Sequence, residues 1–371
     1  MKILFLSTRC GDGHNAMARA YENECKSRGI DIKIYDIFGE LPEEYALFNK
    51  GYIWAVKHIP KIYNKIWLAN RKRIHGDFTK SYCHTMRNVF VKIKEQIDEF
   101  RPDIVVTMFV NAGGAVEYLK KQGLIDKNLV HVAVVFDYVI CPDFDYNRTA
   151  DYTITSHEIV HDELLEKGFA SERLKCFGIP VDGRFLQKYD KQQMRQELGL
   201  KDKFTVLAMA GGAGIGNTPA LIKSIVKADK DIQIVAVCGR NKKAKIKLEK
   251  YIKKHNLDNI VPFGFTDKIP QIMNACDLAF TRGGGSGTTE CFQSGLPMIF
   301  RQGLITNEKL NMQIFNGMGI GDNIKKDRHA GKKAVYYKQN QHLLDEMREK
   351  IDKFAKKQSA KNAVDFLCTL V

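Results

Sequence analysis

The sequence has no long apolar run and no regular cysteine pattern. It has no stretch of about 18 consecutive apolar residues, the length that a membrane-spanning helix needs. Its nine cysteines include no C-x-x-C pair, which argues against a disulfide framework or a structural zinc site. The apolar start, residues 1–7, runs directly into Arg9 and a glycine cluster, so it predicts a buried strand and not a secretion signal. These absences favour a cytosolic protein.

The composition and the order of apolar segments are those of a folded α/β protein. The 371 residues are 44% hydrophobic and 27% charged, which are ordinary globular values and are enough for two domains. Short β-rich runs bounded by glycines alternate with stretches of helical period, a pattern typical of parallel sheets. Ten strands are predicted, at residues 3–7, 32–37, 104–109, 130–136, 152–155, 204–210, 232–238, 260–263, 278–281 and 298–300.

A break in this alternation at residues 178–183 predicts a domain boundary. Residues 1–180 are predicted to form an N-terminal Rossmann-like domain and residues 181–340 a second one, whose first strand lies near Phe204. Residues 341–371 have apolar side chains at helical spacing, so they are predicted to form an amphipathic helix that packs on or across the domains.

The first predicted strand ends in a glycine-containing turn, Ser7 to His14, and a helix is predicted from about Asn15. Backbone N–H groups at such a helix start face the crevice at the carboxyl edge of the sheet. Ala16 stands where the dinucleotide-binding fingerprint needs its third glycine, which disfavours a dehydrogenase. A histidine at a helix N-terminus tends to be neutral, so His14 is either a general base or a residue that only caps the helix or packs locally.

The sharpest signal in the second half is the run Thr281-Arg282-Gly283-Gly284-Gly285-Ser286-Gly287-Thr288-Thr289-Glu290. Its glycines let backbone amides approach an anion, and its threonine hydroxyls add donors, so a diphosphate fits. Glu290 is predicted in the first turn of the following helix, directed at neutral hydroxyls such as those of a ribose. The alternative is that Glu290 only complements the helix dipole.

A net charge of +15 and a pI near 9.2 would draw the protein to nucleic acid or to an anionic membrane. Residues 57–94 contain ten basic side chains, with Asp77 as the only acid. Aromatic and basic side chains interleave between residues 52 and 67, which predicts an interfacial helix; the alternative is a helix that packs its aromatic side chains into the core. The main ones are Tyr52, Trp54, Lys57, Lys61, Tyr63, Lys65 and Trp67. No helix-turn-helix, zinc-finger spacing or RNP-type strand is seen, so no nucleic-acid partner is expected.

Several motifs together make the chain resemble a known family. They are Gly11-Asp12-Gly13-His14, Arg101-Pro102-Asp103-Ile104, Phe136-Asp137-Tyr138, Gly178-Ile179-Pro180-Val181, Ala210-Gly211-Gly212 and the glycine-rich run through Gly295-Leu296-Pro297. Over nearly its whole length the chain resembles the monogalactosyldiacylglycerol synthases and processive diacylglycerol glucosyltransferases, with the peptidoglycan lipid N-acetylglucosaminyltransferase as a more distant relative.

The resemblance implies the GT-B fold: α/β, with two Rossmann-like domains whose parallel sheets face each other across a cleft. It implies an inverting hexosyltransferase that moves a sugar from a UDP-sugar to the hydroxyl of diacylglycerol. No metal or other cofactor is expected. Such an enzyme would be cytoplasmic and peripheral on the inner face of the cell membrane, with an anionic membrane surface as partner.

By the same resemblance, residues fall into three groups. His14 would be the catalytic base; Asp137 either orients His14 or contacts the acceptor, or only caps a loop. Gly13 and the aromatic-basic residues of positions 52–67 would serve the acceptor and the membrane. The donor-binding group is Gly211, Gly212, Phe265, Gly284, Gly285, Ser286, Gly287, Thr288, Thr289, Glu290, Asn307, Glu308 and Asn311.

Two departures from the family pattern concern the donor site. Gly287 stands where relatives carry threonine, and Asn307 where they usually carry glutamine, so the identity of the sugar is left open. Two alternatives also stay open. One is a GT-B enzyme without a membrane acceptor, such as a UDP-sugar epimerase or a transferase to a water-soluble acceptor. The other is a regulator that senses UDP-sugar without turnover.

Overall fold

The computed structural model describes residues 1–8, 12–46, 51–72, 80–209, 218–301, 303 and 305–371. Within them the chain forms two compact units. The first unit comprises Met1–Asp182, Ile305–Asn307 and Lys356–Val371, and the second comprises Gly183–Leu304 and Glu308–Ala355. Each unit contains a six-stranded sheet in which all described strand pairs are parallel.

The first unit has the strand order β2-β1-β3-β4-β5-β6. Its strands are β1 (Lys2–Ser7), β2 (Asp31–Asp36), β3 (Ile104–Thr107), β4 (Val130–Val134), β5 (Tyr152–Thr155) and β6 (Leu174–Cys176). Its helices are α1 (Asp12–Ser27), α2 (Pro42–Tyr45), α3 (Gly51–His58), α4 (Pro60–Lys72), α5 (Lys80–Phe100), α6 (Val110–Lys121), α7 (Glu158–Glu166) and α16 (Ser359–Leu367). Short 3-10 helices lie at Phe144–Asn147 and Ser171–Arg173.

The sequence of β1 explains why it lies inside this sheet. Side chains Ile3 to Leu6 are completely buried, so both faces of the strand are covered. A continuous apolar run of this kind is what a central strand of a parallel sheet requires, because helices cover both faces. Leu4 and Leu6 pack with Met86, Val89 and Ile93 of α5 in one core cluster.

The C-terminal helix α16 returns to the first unit. Its Phe366 meets Tyr152 edge to face, with 5.0 Å between ring centroids, and Asp365 pairs with Arg28, the residue after α1, at 2.5 Å. The chain enters this helix beside Gly178, whose φ is +96°. A Cβ at Gly178 would lie 2.5 Å from side-chain atoms of Lys356 and Ser359. Both the positive φ and the lack of space for a side chain therefore favour glycine over any other residue here.

The second unit has the strand order β12-β11-β10-β7-β8-β9. Its strands are β7 (Thr205–Met209), β8 (Gln233–Val237), β9 (Ile260–Phe263), β10 (Leu278–Thr281), β11 (Met298–Arg301) and β12 (Asp322–Ile324). Its helices are α8 (Lys191–Glu197), α9 (Thr218–Ala228), α10 (Lys242–His255), α11 (Ile269–Ala275), α12 (Gly285–Gln293), α13 (Thr306–Gly317), α14 (Ala330–Gln339) and α15 (Gln341–Phe354). The first two residues of α13, Thr306 and Asn307, group with the first unit. Short 3-10 helices lie at Gly183–Leu186 and Asp327–His329.

The predicted α/β class is confirmed, and all ten predicted strands are present with ends within two residues of the expected ones. Two strands, β6 and β12, were not predicted. The single helix predicted for the C-terminal segment is wrong: α15 ends at Phe354 and α16 starts at Ser359. Ala355 adopts an extended conformation, with φ −66° and ψ 121°, which ends the first of the two helices.

None of the helices in the described ranges has an apolar stretch long enough to cross a membrane.

Candidate active site

In the first unit, the carboxyl ends of β1 and β3 form a topological switch point. From β1 the chain passes to β2 on one side of it and later to β3 on the other side. The connections leaving neighbouring strands in opposite directions open a crevice at such a point, where ligands of α/β proteins bind. Helix α1 begins at this edge, at Asp12. The expected start at about Asn15 is therefore wrong, and Gly13 and His14 lie in the first turn of the helix.

His14 is held by aromatic rings at the same edge of the sheet. Its imidazole lies edge-on to Phe136, with 4.7 Å between ring centroids, and 6.3 Å from the ring of Phe109. Phe109 follows β3 and Phe136 follows β4, so the ends of three neighbouring strands meet around the imidazole. Burial lowers the pKa of His14 to about 4, because an apolar surrounding disfavours the charged form. The imidazole is therefore neutral at neutral pH and can accept a proton.

Asp137 follows Phe136 and is part of the loop after β4. Its Oδ1 accepts a hydrogen bond from the backbone N–H of Tyr138 at 2.9 Å. Its carbonyl oxygen accepts one from Ser156 Oγ at 2.6 Å. Asn307, which groups with the first unit, donates from Nδ2 to Asp137 Oδ2 at 2.7 Å. The contact with Tyr138 is the loop-capping arrangement; a role in orienting His14 or contacting an acceptor stays a prediction.

The aromatic-basic segment forms two helices, α3 and α4, separated at Ile59. Trp54, Ile62 and Ile66 expose 55%, 56% and 55% of their surface, whereas Tyr63 and Trp67 are half-buried. Lys61 and Lys65 are exposed beside them. Tyr52 and Lys57 fall in α3, but their side chains lie outside the described part of the chain. The described apolar side chains are thus divided between the surface and contacts with the unit.

Arg71, which the sequence grouped with the basic stretch, has a structural role. Its Nη2 pairs with Glu163 of α7 at 2.5 Å, and its Nε donates to the carbonyl oxygen of Ile140 at 3.2 Å. Lys167 Nζ donates in turn to the carbonyl oxygen of Arg71 at 2.8 Å. These contacts fix the C-terminal end of α4 to the unit. No sequence signal identified them, because the partners lie far along the chain.

In the second unit, the glycine-rich run forms the turn between β10 and α12. Gly284 is the N-cap, with φ −80° and ψ 150°, and the helix starts at Gly285. The N–H groups of a helix's first turn have no acceptor within the helix, so those of Gly285, Ser286 and Gly287 form a donor set suited to an anion. The buried hydroxyl of Thr289 donates to the carbonyl oxygen of Gly285 at 2.8 Å, which strengthens this turn.

The expected place of Glu290 in the first turn is wrong. Because α12 starts within the glycine run, Glu290 is its sixth residue and lies in the second turn. The helix-dipole alternative for Glu290 loses its basis, since that effect falls off within the first turn. Thr288 is fully buried, and its N–H donates to the carbonyl oxygen of Gly284 at 3.1 Å.

Helix α13 packs directly against this turn. Glu308 is 5% exposed and pairs with Arg282 at 2.7 Å. Asn311 is completely buried and donates from Nδ2 to the carbonyl oxygen of Gly283 at 2.7 Å. A Cβ at Gly283 would lie 2.7 Å from the carbonyl oxygen of Glu308, so the close approach requires glycine. Glu308 and Asn311, both predicted donor-binding residues, are thus brought to the glycine turn, and Arg282 is added to the site.

Phe265 follows β9 at the carboxyl edge of the same sheet. Its ring is 64% exposed, and the guanidinium of Arg240, which follows β8, lies 4.4 Å from the ring centroid. This distance is that of a cation–π contact. Gly211 and Gly212, predicted to bind the donor at the end of β7, lie outside the described residues.

Two family models match consecutive parts of the chain. Residues 14–181 match the monogalactosyldiacylglycerol (MGDG) synthase family, and residues 206–365 match the glycosyltransferase family 28 C-terminal domain. The first match starts at His14, and the second includes the glycine turn and α13.

Curated relatives cover most of the chain at low identity. The chain is 25% identical to the chloroplastic monogalactosyldiacylglycerol synthase of Spinacia oleracea over 89% of this chain and 65% of that protein, so it spans less than two thirds of that relative. It is 26% identical to a processive diacylglycerol beta-glucosyltransferase of Staphylococcus saprophyticus, over 86% of this chain and 80% of that one. For the Bacillus pumilus protein of the same name, identity is 24% over 98% and 94%.

Solved structures share the architecture over the full chain. Acinetobacter baumannii MurG matches with a TM-score of 0.68 at 13% identity, over 99% of both chains. Anabaena HepE, solved in complex with UDP and glucose, matches with a TM-score of 0.60 at 13% identity, over 100% of both chains. At this identity the likeness shows the fold, which is GT-B with two Rossmann-like domains. The two family matches and the curated relatives show that the chain is similar, over most of its length, to the monogalactosyldiacylglycerol synthases and processive diacylglycerol glucosyltransferases.

Proposed function

We propose that the protein transfers a hexose from a UDP-sugar to the hydroxyl of diacylglycerol, with inversion at the anomeric carbon. The proposal rests on the pair of family matches, which join a diacylglycerol-type acceptor domain to a family 28 donor domain over most of the chain. Curated relatives from plants and bacteria carry names for this reaction with galactose or glucose.

The donor diphosphate would lie at the start of α12. The first-turn N–H groups of Gly285, Ser286 and Gly287 supply hydrogen-bond donors, and the two glycines have no side chain that could block an anion. The helix dipole adds positive potential at the same place. Such donors stabilise negative charge as it develops on the departing UDP. We propose that this arrangement acts without a metal ion. Ser286 or Thr288 would replace the hydroxyl that relatives carry at the position of Gly287.

Five further residues would recognise the rest of the donor. Glu290, in the second turn of α12, would accept hydrogen bonds from the ribose hydroxyls. The segment at Phe265 would hold the uracil. Asn307, with Glu308 and Asn311, would read the sugar hydroxyls, and its amide is one methylene shorter than the glutamine of relatives. Glucose and galactose therefore both belong in the test of donor choice.

His14 would act as the general base. A neutral imidazole at the carboxyl edge of the first sheet accepts the proton of the lipid hydroxyl while the oxygen attacks the anomeric carbon. The attack forms the new glycosidic bond and breaks the bond to the UDP oxygen. General-base catalysis contributes about 10²–10⁴-fold to the rate. Asp137 is the second candidate catalytic residue, through contact with the acceptor or through the orientation of His14.

A diacylglycerol acceptor stays in the bilayer, so the enzyme has to reach the membrane surface. Ile62 and Ile66 are exposed on α4 beside Lys61 and Lys65, a combination that suits the headgroup region of an anionic membrane. We propose that α3 and α4 dock there and that the protein works as a peripheral protein on the cytoplasmic face. No nucleic-acid partner is proposed.

One experiment tests the function directly. The purified protein is incubated with detergent-dispersed diacylglycerol and, separately, UDP-glucose or UDP-galactose, and the lipid extract is analysed by mass spectrometry. Hexosyl-diacylglycerol is the expected product. Stabilisation by UDP-sugar without any lipid product would favour a sensing protein instead, and turnover of the UDP-sugar alone would favour an epimerase.

A matched variant tests the proposed base. His14→Ala is expected to reduce turnover by about 10²–10⁴-fold while calorimetry still detects UDP binding. The control is His255→Ala, since His255 is an exposed side chain at the end of α10. Unchanged turnover in His14→Ala would remove the imidazole from the mechanism.

A further inference from the structure

The net positive charge of the chain equals the sum of the net charges of two segments. Residues 57–94 carry ten basic and one acidic side chain, and residues 242–255 carry seven lysines and one glutamate. Their net charges are +9 and +6, which together equal the +15 of the whole chain. All other residues are therefore balanced in charge. The first segment includes α4 of the proposed membrane face of the first unit, whereas the second is helix α10 of the second unit.

Helix α10 separates its residues into two faces. Leu248 is buried, and Tyr251 and Ile252 are half-buried on the same side, so this face packs on the unit. The opposite face is exposed and consists almost entirely of lysines. These are Lys242, Lys243, Lys247, Lys250, Lys253 and Lys254. We call it the lysine face.

An apolar side chain lies within the lysine face. Ile246 exposes 51% of its surface. Lys242 precedes it by four positions and Lys250 follows it by four, so both are its neighbours along the helix surface. An isoleucine in the middle of lysines suits a surface that is both anionic and able to take in an apolar group. A lipid headgroup layer has both properties.

The lysine face also lacks the internal pairing of an ordinary solvated helix. Lys245, outside this face, pairs with Glu249 at 3.2 Å. In the described part of the chain, no acidic side chain pairs with any of the six lysines of the face. Like charges three or four positions apart destabilise a helix, so this arrangement costs stability in the free protein. An anionic partner would remove that cost.

We propose that the lysine face of α10 is a second docking surface for an anionic lipid bilayer, located in the donor-binding domain. The inference deepens the proposed function and rests on it for the presence of a membrane acceptor. Nucleic acid is the less favoured occupant, because the lysine face, made of six lysines and Ile246, has no aromatic ring on which a base would stack. Bilayer contact through α10 would hold the second unit, as well as the first, at the lipid surface.

The experiment measures vesicle binding without turnover. The full-length protein and a variant with Lys242→Gln, Lys243→Gln, Lys247→Gln and Lys250→Gln are floated with phosphatidylcholine vesicles, with and without phosphatidylglycerol, at matched salt. Glutamine keeps the helix propensity of lysine, and thermal unfolding checks the fold. Each lysine near an anionic surface contributes about 5-fold to binding, so a loss of at least about 25-fold is expected on phosphatidylglycerol vesicles.

The matched control replaces four exposed lysines of the same unit outside α10, namely Lys325, Lys326, Lys332 and Lys353, by glutamine. Equal vesicle binding by the wild type and the α10 variant, or equal losses in the α10 and control variants, would overturn the proposal. The proposal would also be overturned, in favour of nucleic acid, if the wild type does not bind vesicles but shifts single-stranded DNA in a gel and the α10 variant does not. Hexosyl transfer to detergent-dispersed diacylglycerol is expected to be unchanged in the α10 variant, which separates this proposal from the proposed function.

Discussion

Arg282 and Glu308 form an ion pair, with 2.7 Å between Nη2 and Oε1. Arg282 opens the glycine turn after β10, and Glu308 lies in the first turn of α13. Asn311, one helical turn further on, donates to the carbonyl oxygen of Gly283 in the same turn. Two side chains of α13 therefore fix the backbone that is proposed to hold the diphosphate.

Replacing Arg282 by Met is expected to destabilise the second unit and to weaken UDP binding. The carboxylate of Glu308 is only 7% exposed, so the variant leaves a buried negative charge beside the anion site. Loss of one partner of a buried pair costs about 3–5 kcal/mol. Because Arg282 is 24% exposed, we expect about 2 kcal/mol, allowing for solvent screening. Urea unfolding and calorimetry with UDP measure the two effects, with Arg328→Met, an exposed arginine of the same unit, as control.

Gly283 and Gly284 offer a neighbouring pair of substitutions with different expected outcomes. A Cβ at Gly283 would lie 2.7 Å from Glu308 O and 2.8 Å from Met312 Cγ, whereas at Gly284 it would meet no atom within 4 Å. Gly283→Ala should therefore reduce the free energy of unfolding by about 1–3 kcal/mol, and Gly284→Ala should leave it nearly unchanged. Thermal unfolding measures this difference; equal melting temperatures for both variants would contradict the close packing of α13.

Gly284→Ala then tests the ligand separately from the fold. If the UDP diphosphate rests against the N-cap of α12, a methyl group there hinders the approach of the phosphate oxygens. Calorimetry should show weaker UDP binding in this stable variant. Full UDP affinity would move the diphosphate away from Gly284.

The sequence predicted those strands whose burial can be recognised from the apolar pattern of the strand itself. Strands such as β1 and β10 are continuous apolar runs bounded by polar or glycine residues, so their pattern is sufficient. Strands β6 and β12 have only three residues each, Leu-Lys-Cys and Asp-Asn-Ile. Their neighbours β5 and β11 pair with them, and that pairing is not visible in such short segments.

In the candidate site too, residues next to a recognisable strand were predicted, and residues that depend on distant partners were not. His14 and the glycine run were predicted because each comes directly after a recognisable strand, and in the structure each lies at the carboxyl edge of its sheet. Arg71 and Arg282 were not identified as site-building residues, because their partners Glu163 and Glu308 are distant in sequence. Residue type and spacing indicate where charge is located along the chain, but not which charge is used in packing.

The pH dependence of turnover is expected to lack the usual histidine transition. Burial places the pKa of His14 at about 4, below the ordinary value of about 6.5. The imidazole therefore stays in the proton-accepting form between these values. As pH falls from 7 to 5, protonation of His14 should therefore cause no decrease in kcat/KM with a midpoint near 6.5. The decrease from this group should appear only as pH approaches 4.

The lowered pKa of His14 also makes the free energy of unfolding depend on pH. Between pH 6.5 and 4 the unfolded chain binds a proton at His14 that the folded protein does not, so the free energy of unfolding falls as pH falls through this window. The decrease should be smaller in His14→Ala, because that variant lacks the group. Urea unfolding at several pH values measures it, and an identical pH dependence in both proteins would contradict the lowered pKa.

Removing the exposed isoleucines of α4 is expected to weaken membrane binding. Ile62 and Ile66 are 56% and 55% exposed and lie one turn apart. Burying the remaining half of each side chain in the headgroup layer contributes about 1 kcal/mol. The double variant Ile62→Gln/Ile66→Gln should therefore bind phosphatidylglycerol vesicles about 25-fold less tightly, with little change in the melting temperature, because little packing is lost in the folded protein.

The control variant is Val91→Gln/Leu124→Gln, which changes two other exposed apolar side chains of the first unit, 48% and 47% exposed. Added salt distinguishes the two contributions to binding, because it screens the lysines beside the isoleucines but not apolar burial. The ratio of vesicle binding between the wild type and Ile62→Gln/Ile66→Gln should therefore be the same at high salt, while the binding of both proteins decreases. If the variant and its control bind vesicles equally at both salt concentrations, α4 is not the membrane-contacting helix, and the exposed apolar surface of this unit has to face another partner.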